Sequence, residues 1–327
     1  MSIRSFFRLA AHIQILPILE SGEETLVGGQ AVMEGVMMRA PHSYCVAVRK
    51  PNGELITDER PLPRISEKYP IFKYPVLRGL GTLGQAMSLG IHALRFSANA
   101  AFDSGVPSGA KTPREISSWA MALNLILSLG FFIFLYKFVP LFLATKLGGV
   151  YPALDSRLAI NLVDGCIRIA IFLIFLYAVS RMKDIRRVFE YHGAEHKVVF
   201  NFESGQPVSI ENARQFVTFH PRCGTSFLLV VMVISMLVYA VVPVDGFLAK
   251  FVSRIALLPL IAGFSYELIR FAAKRRGSLL STLTAPGLWL QRITTKNPSD
   301  AQTEVAIRAL EGAMRLEEQQ GGQLVIA

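Results

Sequence analysis

Long apolar segments constrain this chain more than any other feature of its sequence. The stretch 119–136 contains no charged residue, and its apolar character resumes after Lys137 as far as residue 144. A helix needs about 20 predominantly apolar residues to cross the hydrocarbon core of a bilayer, so this stretch is long enough. Three further segments are long and predominantly apolar, and they cover residues 158–180, 226–244 and 252–271. The sequence therefore predicts four transmembrane helices.

The overall composition excludes several other classes of protein. Of the 327 residues, 52% are hydrophobic and 18% are charged, against roughly 25% charged residues in soluble domains. A disordered tail or a nucleic-acid-binding arm would have the opposite balance. The cysteines Cys45, Cys166 and Cys223 are too few and too widely spaced for a disulfide scaffold, and they indicate a reducing compartment.

The net charge of +10, from 34 Lys and Arg against 24 Asp and Glu, is distributed unevenly along the chain. Basic residues concentrate before the first predicted span, between the second and third, and after the fourth, whereas the other two loops are short and carry few. Since basic loops stay on the cytoplasmic side, both termini and the middle loop are predicted to be cytoplasmic. These residues would face anionic lipid headgroups, so no nucleic acid partner is expected.

The segments outside the spans predict a small cytoplasmic domain of mixed α/β structure. Pro51-Asn52-Gly53 lies between short apolar runs, as in a β-hairpin. Residues 182–202 predict a helix that extends from the second span, and the apolar spacing in 302–316 predicts an amphipathic helix packed on this domain. The predicted fold class is therefore an α-helical polytopic membrane protein with about four transmembrane helices and a small mixed α/β cytoplasmic domain.

The predicted organisation divides the chain into six parts. A strand-rich cytoplasmic segment (1–75) is followed by an interfacial or re-entrant helix with its linker (76–113) and by the first two spans (114–180). A cytoplasmic segment with the motifs described below (181–225) leads to the last two spans (226–273). The last part is a cytoplasmic segment with the amphipathic helix (274–327). The uncharged stretch 79–91 would reach only about 20 Å as a helix, which favours an interfacial or re-entrant helix over a fifth span.

The sequence from Tyr191 to Lys197 contains an H-x-x-E-H pattern. On a helix, the side chains of His192, Glu195 and His196 share one face, and two imidazoles one turn apart can hold one divalent metal ion. The carboxylate between them could act as a general base. The pattern has only three fixed positions, however, and an amphipathic helix carrying two titratable histidines remains an alternative.

A second motif, His220-Pro221-Arg222-Cys223-Gly224-Thr225, precedes the third predicted span. It lies at the same predicted membrane face as the histidine helix, and histidine and cysteine are both good ligands for transition metals such as zinc. His192, His196 and Cys223 with His220 as a fourth ligand would form a closed structural site, whereas three of the four would leave an open position, as in catalytic sites. Alternatively, Cys223 is a small buried thiol and His220 is a turn residue.

Other polar residues are weaker candidates. Glu34 and Arg39 are the only charges in the glycine- and methionine-rich run 27–39, where they could line a site or form a buried pair. Glycines in that run suit tight turns or close backbone approach.

Among the charged positions in or near the predicted spans, three bear on the location of a site. Glu267, near the end of the fourth span, could be a further ligand, or it could pair with Arg270 or Arg222. Asp164 and Arg168 lie four residues apart in the second span, so they are predicted to neutralise each other, nearer the outside and away from the site.

Four motifs in the same order resemble the YqhQ-like family of bacterial proteins. They are the sequences at 28–39, 191–197, 220–227 and 286–295, which read GGQAVMEGVMMR, YHGAEHK, HPRCGTSF and PGLWLQRITT. The resemblance extends from about Gly28 to Leu316. It implies a polytopic protein of the bacterial inner membrane, and the family's usual label is "predicted metal-dependent enzyme". It supports the importance of the histidine and cysteine positions without specifying a reaction.

These observations predict an integral inner-membrane protein with a divalent-metal site at its cytoplasmic face, and metal-dependent hydrolysis is the reaction considered for that site. The competing hypothesis is a membrane scaffold, chaperone or transporter that recruits a cytosolic protein partner, in which the same residues form a structural polar network. Intramembrane proteolysis is less favoured, because the H-x-x-E-H pattern lies about a dozen residues beyond the apolar span.

Overall fold

The computed structural model describes residues 27–63, 65–102, 118–220, 223–274 and 285–319. The first described elements form a four-stranded antiparallel sheet in which neighbouring strands in sequence are neighbours in space. The strands are β1 (Gly28–Val32), β2 (Gly35–Arg39), β3 (Ser43–Arg49) and β4 (Leu55–Pro61). The register pairs Gly28 with Arg39 and Val46 with Asp58.

The hairpin predicted at Pro51-Asn52-Gly53 connects β3 to β4, which confirms that prediction. The Lys50 amide donates to the Glu54 carbonyl at 2.8 Å, and Gly53 takes a φ of 88°. Glycine adopts this left-handed conformation without steric cost, which is why the turn closes here.

Helices account for most of the remaining structure. They are α1 (Ile65–Lys68), α2 (Leu77–Phe102), α3 (Ser118–Ile133), α4 (Val139–Val150), α5 (Arg157–Ser180), α6 (Lys183–Glu203), α7 (Ile210–Arg214), α8 (Gly224–Val241), α9 (Phe247–Ala256), α10 (Leu258–Lys274), α11 (Ala285–Thr294) and α12 (Asp300–Gln319). A π-helical segment, Phe134–Phe138, joins α3 to α4, and 3₁₀ turns occur at Pro70–Lys73 and Pro152–Leu154.

The sheet forms the centre of a three-layer domain. Side chains alternate between the two faces of a strand, so β2 and β3 are buried on both faces. One face, including Met38, Cys45 and Ala47, packs on α6 and α12. The other face, including Val46 and Val48, packs on α2. Burying each large apolar side chain contributes about 1.5–3 kcal/mol, so both helical layers stabilise the sheet.

Both helices predicted outside the spans are present. The helix predicted at 182–202 is α6, and a short turn at Arg181–Met182 separates it from α5. The helix predicted at 302–316 is α12, and it packs on the sheet as expected. Gly312 permits this approach, because a Cβ there would lie 2.6 Å from Cys45 Sγ.

Three helical stretches are long and apolar enough to cross a membrane, which makes the chain compatible with a membrane protein. They are Ile126–Val150, Arg157–Ser180 and Gly224–Val241, with 25, 24 and 18 residues. The first extends beyond the predicted end at residue 144 and includes Lys137 within its π-helical segment. Pro140 has no N–H to donate to the Tyr136 carbonyl, so a widened turn at this point is physically reasonable.

The fourth predicted span differs from the single helix expected at 252–271. It consists of α9 and α10, which meet at Leu257 with a bend of 49° and count as a fourth span only if taken together. Pro259 supplies the physical reason, since it cannot donate the hydrogen bond that would continue α9 through this point.

Helix α2 covers the region predicted to be interfacial or re-entrant. Its residues Leu89 and Ala93 pack against the sheet, and its first turns contact α10, where Gly79 lies against Tyr266. This packing links the three-layer domain to the apolar helices. The location of α2 relative to a membrane stays a prediction.

Candidate functional site

The two histidines of the H-x-x-E-H pattern lie side by side on α6. His192 and His196 are one helical turn apart, and their ring centroids are separated by 4.4 Å. His196 is fully enclosed, with 2% of its surface exposed, whereas the His192 side chain is partly accessible. The predicted pairing of these imidazoles on one helix face is therefore present.

Backbone carbonyls fix the orientation of both imidazole rings. His192 Nδ1 lies 2.8 Å from the Thr294 carbonyl oxygen, and His196 Nδ1 lies 2.5 Å from that of Thr218. A carbonyl oxygen only accepts, so each Nδ1 carries the proton and donates it. In a neutral imidazole this leaves the Nε2 lone pair available, which is the arrangement found at histidine metal ligands.

Cys223 completes a group of three ligand atoms. It lies immediately before α8, and its Sγ is 3.2 Å from His192 Nε2. One ring nitrogen each of His192 and His196 and the sulfur of Cys223 all lie within 4.8 Å of one another. Ligand atoms of a tetrahedral zinc ion are about 3.4–3.6 Å apart, given Zn–N near 2.0–2.1 Å and Zn–S near 2.3 Å. Small side-chain shifts would therefore bring all three to one point.

Glu195 lies against the same group. Its Oε2 is 3.5 Å from His196 Nε2 and 4.0 Å from His192 Nε2. The side chain is buried beneath β1, where a Cβ on Gly29 would lie 2.6 Å from Glu195 Cγ. Only glycine at residue 29 allows the strand this close, so the N-terminal glycine-rich motif contributes to the position of the carboxylate.

Burial keeps His196 neutral at neutral pH. Desolvation lowers its pKa from 6.5 to about 4, because the interior disfavours the imidazolium form. A neutral imidazole binds a metal ion without first losing a proton.

His220 lies next to the three-residue group without joining it. Its ring packs against Phe200, with centroids 4.6 Å apart, and its Nε2 is 3.7 Å from Glu203 Oε2. Burial lowers its pKa to about 4 as well. The Gln291 side chain holds its backbone, accepting from the His220 amide and donating to its carbonyl, both at 2.7 Å. This geometry favours a three-ligand group over the four-ligand alternative.

Glu34 and Arg39 occupy different places at the edges of the sheet. Glu34 forms an ion pair with Arg187 and accepts a hydrogen bond from the Tyr191 hydroxyl at 3.2 Å. Arg39 donates to Gln85 Oε1 on α2 at 2.8 Å. Glu34 and Arg39 therefore do not form the buried pair considered from the sequence, and each connects the sheet to a different helix.

The two remaining candidates lie away from the group or outside the described chain. Glu267 pairs with Arg78 at the start of α2, a partner that the sequence analysis did not consider. The interaction joins α2 to α10, which sequence spacing does not reveal. Arg222 falls outside the described residues.

The sequence analysis missed the residues that support the histidines. Gly193 lies against the chain that follows α11, and a Cβ there would overlap the Lys296 carbonyl oxygen. The Lys296 amide also donates to the Phe189 carbonyl at 2.9 Å, which docks this segment on α6. The signal available in the sequence was Gly193 itself, because a glycine inside a helical motif indicates that another part of the chain packs closely there.

Parts of four separate motifs thus surround one group of side chains. The strand carrying Gly29, the helix carrying His192, the loop carrying Cys223 and the segment carrying Thr294 all contribute contacts there. Residues 74–316 match the family model described as "Protein of unknown function (DUF1385)". The chain belongs to the DUF1385 family. Membership confirms the resemblance drawn from the motifs.

A curated relative supports the same assignment over most of the chain. It is "Uncharacterized protein YqhQ" of Bacillus subtilis (strain 168), which is 34% identical over 297 residues. The alignment covers 89% of this chain and 92% of the relative. It therefore includes both the apolar helices and the three-layer domain. No solved structure matches this DUF1385 chain.

Proposed function

We propose that this protein is an integral membrane protein that binds one divalent metal ion between His192, His196 and Cys223. The observation that carries the proposal is the convergence of two imidazole nitrogens and one sulfur within 4.8 Å of one another. Zinc is the ion that best suits two imidazoles and one thiolate. The two carbonyl oxygens that fix the rings provide the outer support typical of such sites.

Hydrolysis is the class of reaction that this donor set supports best. Three protein ligands leave one position of a tetrahedral site for a reactant. A zinc ion bound there would supply a Lewis acid. Glu195, with Oε2 at 3.5 Å from His196 Nε2, is the group placed to accept a proton as general base. Strand β1 restricts its movement through the close contact at Gly29.

The proposed location is the bacterial inner (cytoplasmic) membrane, with several passes and both termini cytoplasmic. The apolar helices and the uneven distribution of Lys and Arg support it. The metal site would then lie at the cytoplasmic face, because α6 follows the span α5 directly and Cys223 precedes the span α8. Fluorescence of a green fluorescent protein fused to the C-terminus tests this orientation, since an external terminus would leave the fusion dark.

Metal content of the purified full chain tests the binding proposal. We expect about one equivalent of zinc by inductively coupled plasma mass spectrometry after purification in detergent. His196→Gln and Cys223→Ser should each lose most of it. His92→Gln is the matched control, because His92 lies on α2 and pairs with Asp58. Absence of zinc, iron and manganese from the wild type, even after reconstitution with each ion, would contradict the proposal.

A second variant separates catalysis from metal binding. Glu195→Gln should retain the metal and lose zinc-dependent hydrolysis of a simple ester such as 4-nitrophenyl acetate. The comparison of rates in wild type, variant and zinc-free protein distinguishes a general base from a structural carboxylate. If the metal is retained and the wild-type rate equals that of the zinc-free protein, the hydrolytic part of the proposal fails.

One observation favours a non-enzymatic alternative. His196 and Glu195 are only 2% and 6% exposed, which suits a closed structural network as well as a reaction centre. In that case the protein would be a membrane scaffold, chaperone or transporter whose cytoplasmic domain recruits a cytosolic protein. Crosslinking that captures one defined cytosolic protein, equally with wild type and Glu195→Gln, would support this alternative.

A further inference from the structure

A group of buried charged and polar side chains lies inside the apolar helices, far from the histidines. Its members come from α5, α8, α9 and the π-helical segment, and we call them the bundle charge cluster: Lys137, Asn161, Asp164, Arg168, Ser235, Tyr239 and Arg254. Each is at most 5% exposed. Tyr239 follows Cys223 by 16 residues, which is about 24 Å along α8. The cluster is therefore distinct from the candidate metal site.

The cluster contains more positive than negative charge. Asp164 accepts hydrogen bonds from both Arg168 and Arg254, so a single carboxylate faces two guanidinium groups. The expected neutral pair of Asp164 with Arg168 is thus extended by a second arginine. Lys137 adds a third basic group, with Nζ 3.2 Å from the Tyr239 hydroxyl.

All three basic side chains of the cluster lie against the aromatic ring of Tyr239. Lys137 Nζ lies 5.4 Å from the Tyr239 ring centroid, and the central carbons of Arg168 and Arg254 lie at 5.4 Å and 5.2 Å. Cation–π contacts compensate part of the charge. They do not neutralise it, and with Lys137 protonated these side chains leave an excess of two positive charges.

One buried donor of the cluster, Arg168 Nε, has no acceptor among the residues that the structure describes. Arg168 Nε is buried and makes no hydrogen bond there, although Arg168 bonds to Asp164 and, at 2.7 Å, to Ser235. A guanidinium group carries five N–H donors in a planar fork that matches the oxygens of a phosphate group. The cluster therefore has both charge and hydrogen-bonding capacity for an anion.

A partly open pocket leads to this cluster. Its polar lining consists of Asn161, Tyr239, Lys250, Ser253 and Arg254, and two valines of the α8–α9 connection complete it. Lys250 adds a basic group at the pocket that is not buried. The pocket lies at the end of α8 opposite Cys223, so an anion could approach from the other side of the bundle.

We propose that this pocket binds a phosphate group, whose negative charge compensates the bundle charge cluster. The phosphate could belong to a lipid headgroup or to a small soluble molecule, and both present the same oxygens to Arg254 and Lys250. The inference takes only the membrane location of the helices from the proposed function. It is independent of the metal.

Binding to the purified full chain in detergent tests the proposal. Inorganic phosphate and short-chain dihexanoyl phosphatidic acid are titrated separately at constant ionic strength, with dihexanoyl glycerol as the lipid lacking phosphate. We expect saturable thermal stabilisation by at least one phosphate probe and none by dihexanoyl glycerol. Stabilisation by the lipid probe alone identifies a headgroup site, and stabilisation by inorganic phosphate identifies a site for soluble phosphate.

Three variants make the result specific to the pocket. Lys250→Glu changes a partly exposed pocket residue, and we expect it to weaken phosphate binding at least tenfold; Arg254→Gln should do the same if it folds. Lys146→Glu is the matched control, because this lysine lies outside the pocket lining and should bind as wild type does. Metal content, measured in the same samples, reports independently on the other site. Failure of both phosphate probes to bind, or equal binding by Lys250→Glu and Lys146→Glu, would overturn the inference.

Discussion

Replacing Gly193 by alanine should damage the support of the candidate metal site without touching a ligand. A Cβ at this position would overlap the Lys296 carbonyl oxygen, so the segment after α11 has to move away from α6. That movement would weaken two hydrogen bonds: the one from His192 Nδ1 to Thr294 and the one from the Lys296 amide to Phe189.

The expected loss of stability follows from three contributions. Overpacking costs about 1–3 kcal/mol. The two hydrogen bonds contribute about 1 kcal/mol each. Alanine is better than glycine in a helix by about 1 kcal/mol, which offsets part of the loss. The net destabilisation is therefore about 2–4 kcal/mol, which for a chain of 327 residues is a decrease in Tm of roughly 3–6 °C. Because ring orientation is also lost, zinc affinity should fall about 10–100-fold.

Thermal unfolding in detergent, followed by circular dichroism, measures the first effect, and competition with a zinc chelator measures the second. Gly84→Ala is the matched control, since Gly84 lies in α2 with nothing within 4 Å of its added Cβ. The control should gain up to about 1 kcal/mol. If Gly193→Ala proves as stable as this control, the segment after α11 does not dock on Gly193, and the reasoning is refuted.

Three further predictions concern other parts of the chain. In zinc-free protein, the free energy of unfolding should fall as the pH decreases from about 6.5 towards 4. Burial lowers the pKa values of His196 and His220 to about 4, so the unfolded chain binds more protons than the folded chain in this range. The loss should reach up to roughly 3 kcal/mol for each histidine. Urea titrations at pH 7 and 5 measure this, and equal stabilities would contradict it. Gly312→Ala should destabilise the sheet–α12 packing by about 1–3 kcal/mol, read from thermal unfolding, because its Cβ would meet Cys45 Sγ at 2.6 Å. Asp164→Asn should cost about 3–5 kcal/mol by leaving two buried guanidinium groups without their carboxylate, and an unchanged Tm would show that the ion pairs contribute little.

Several elements of the fold could be predicted from local sequence alone. The apolar stretches are recognisable because crossing a bilayer requires length and low charge, which are properties of a segment rather than of its neighbours. The hairpin at Gly53 and the helix α12 are equally local, depending on turn conformation and on apolar spacing.

The deviations within the spans depended on single residues. Pro140 follows the π-helical segment, and Pro259 follows the bend between α9 and α10. Both signals were present in the sequence, because proline removes a backbone donor. Average hydropathy over a segment does not detect them. The pairing of Glu267 with Arg78 had no local signal, since 189 residues separate the two.

The candidate site combines both kinds of information. By itself, the sequence determined that His192, Glu195 and His196 share one face of a helix, because that geometry follows from a repeat of 3.6 residues per turn. Only the tertiary structure decided which ring nitrogens are available. The carbonyls that accept from the two Nδ1 atoms come from positions 102 and 22 residues further along the chain, delivered by packing rather than by helix periodicity. Packing likewise brought Cys223 Sγ to the group and seated His220 beside it, since the direction of a side chain in a loop depends on the surfaces that close around it.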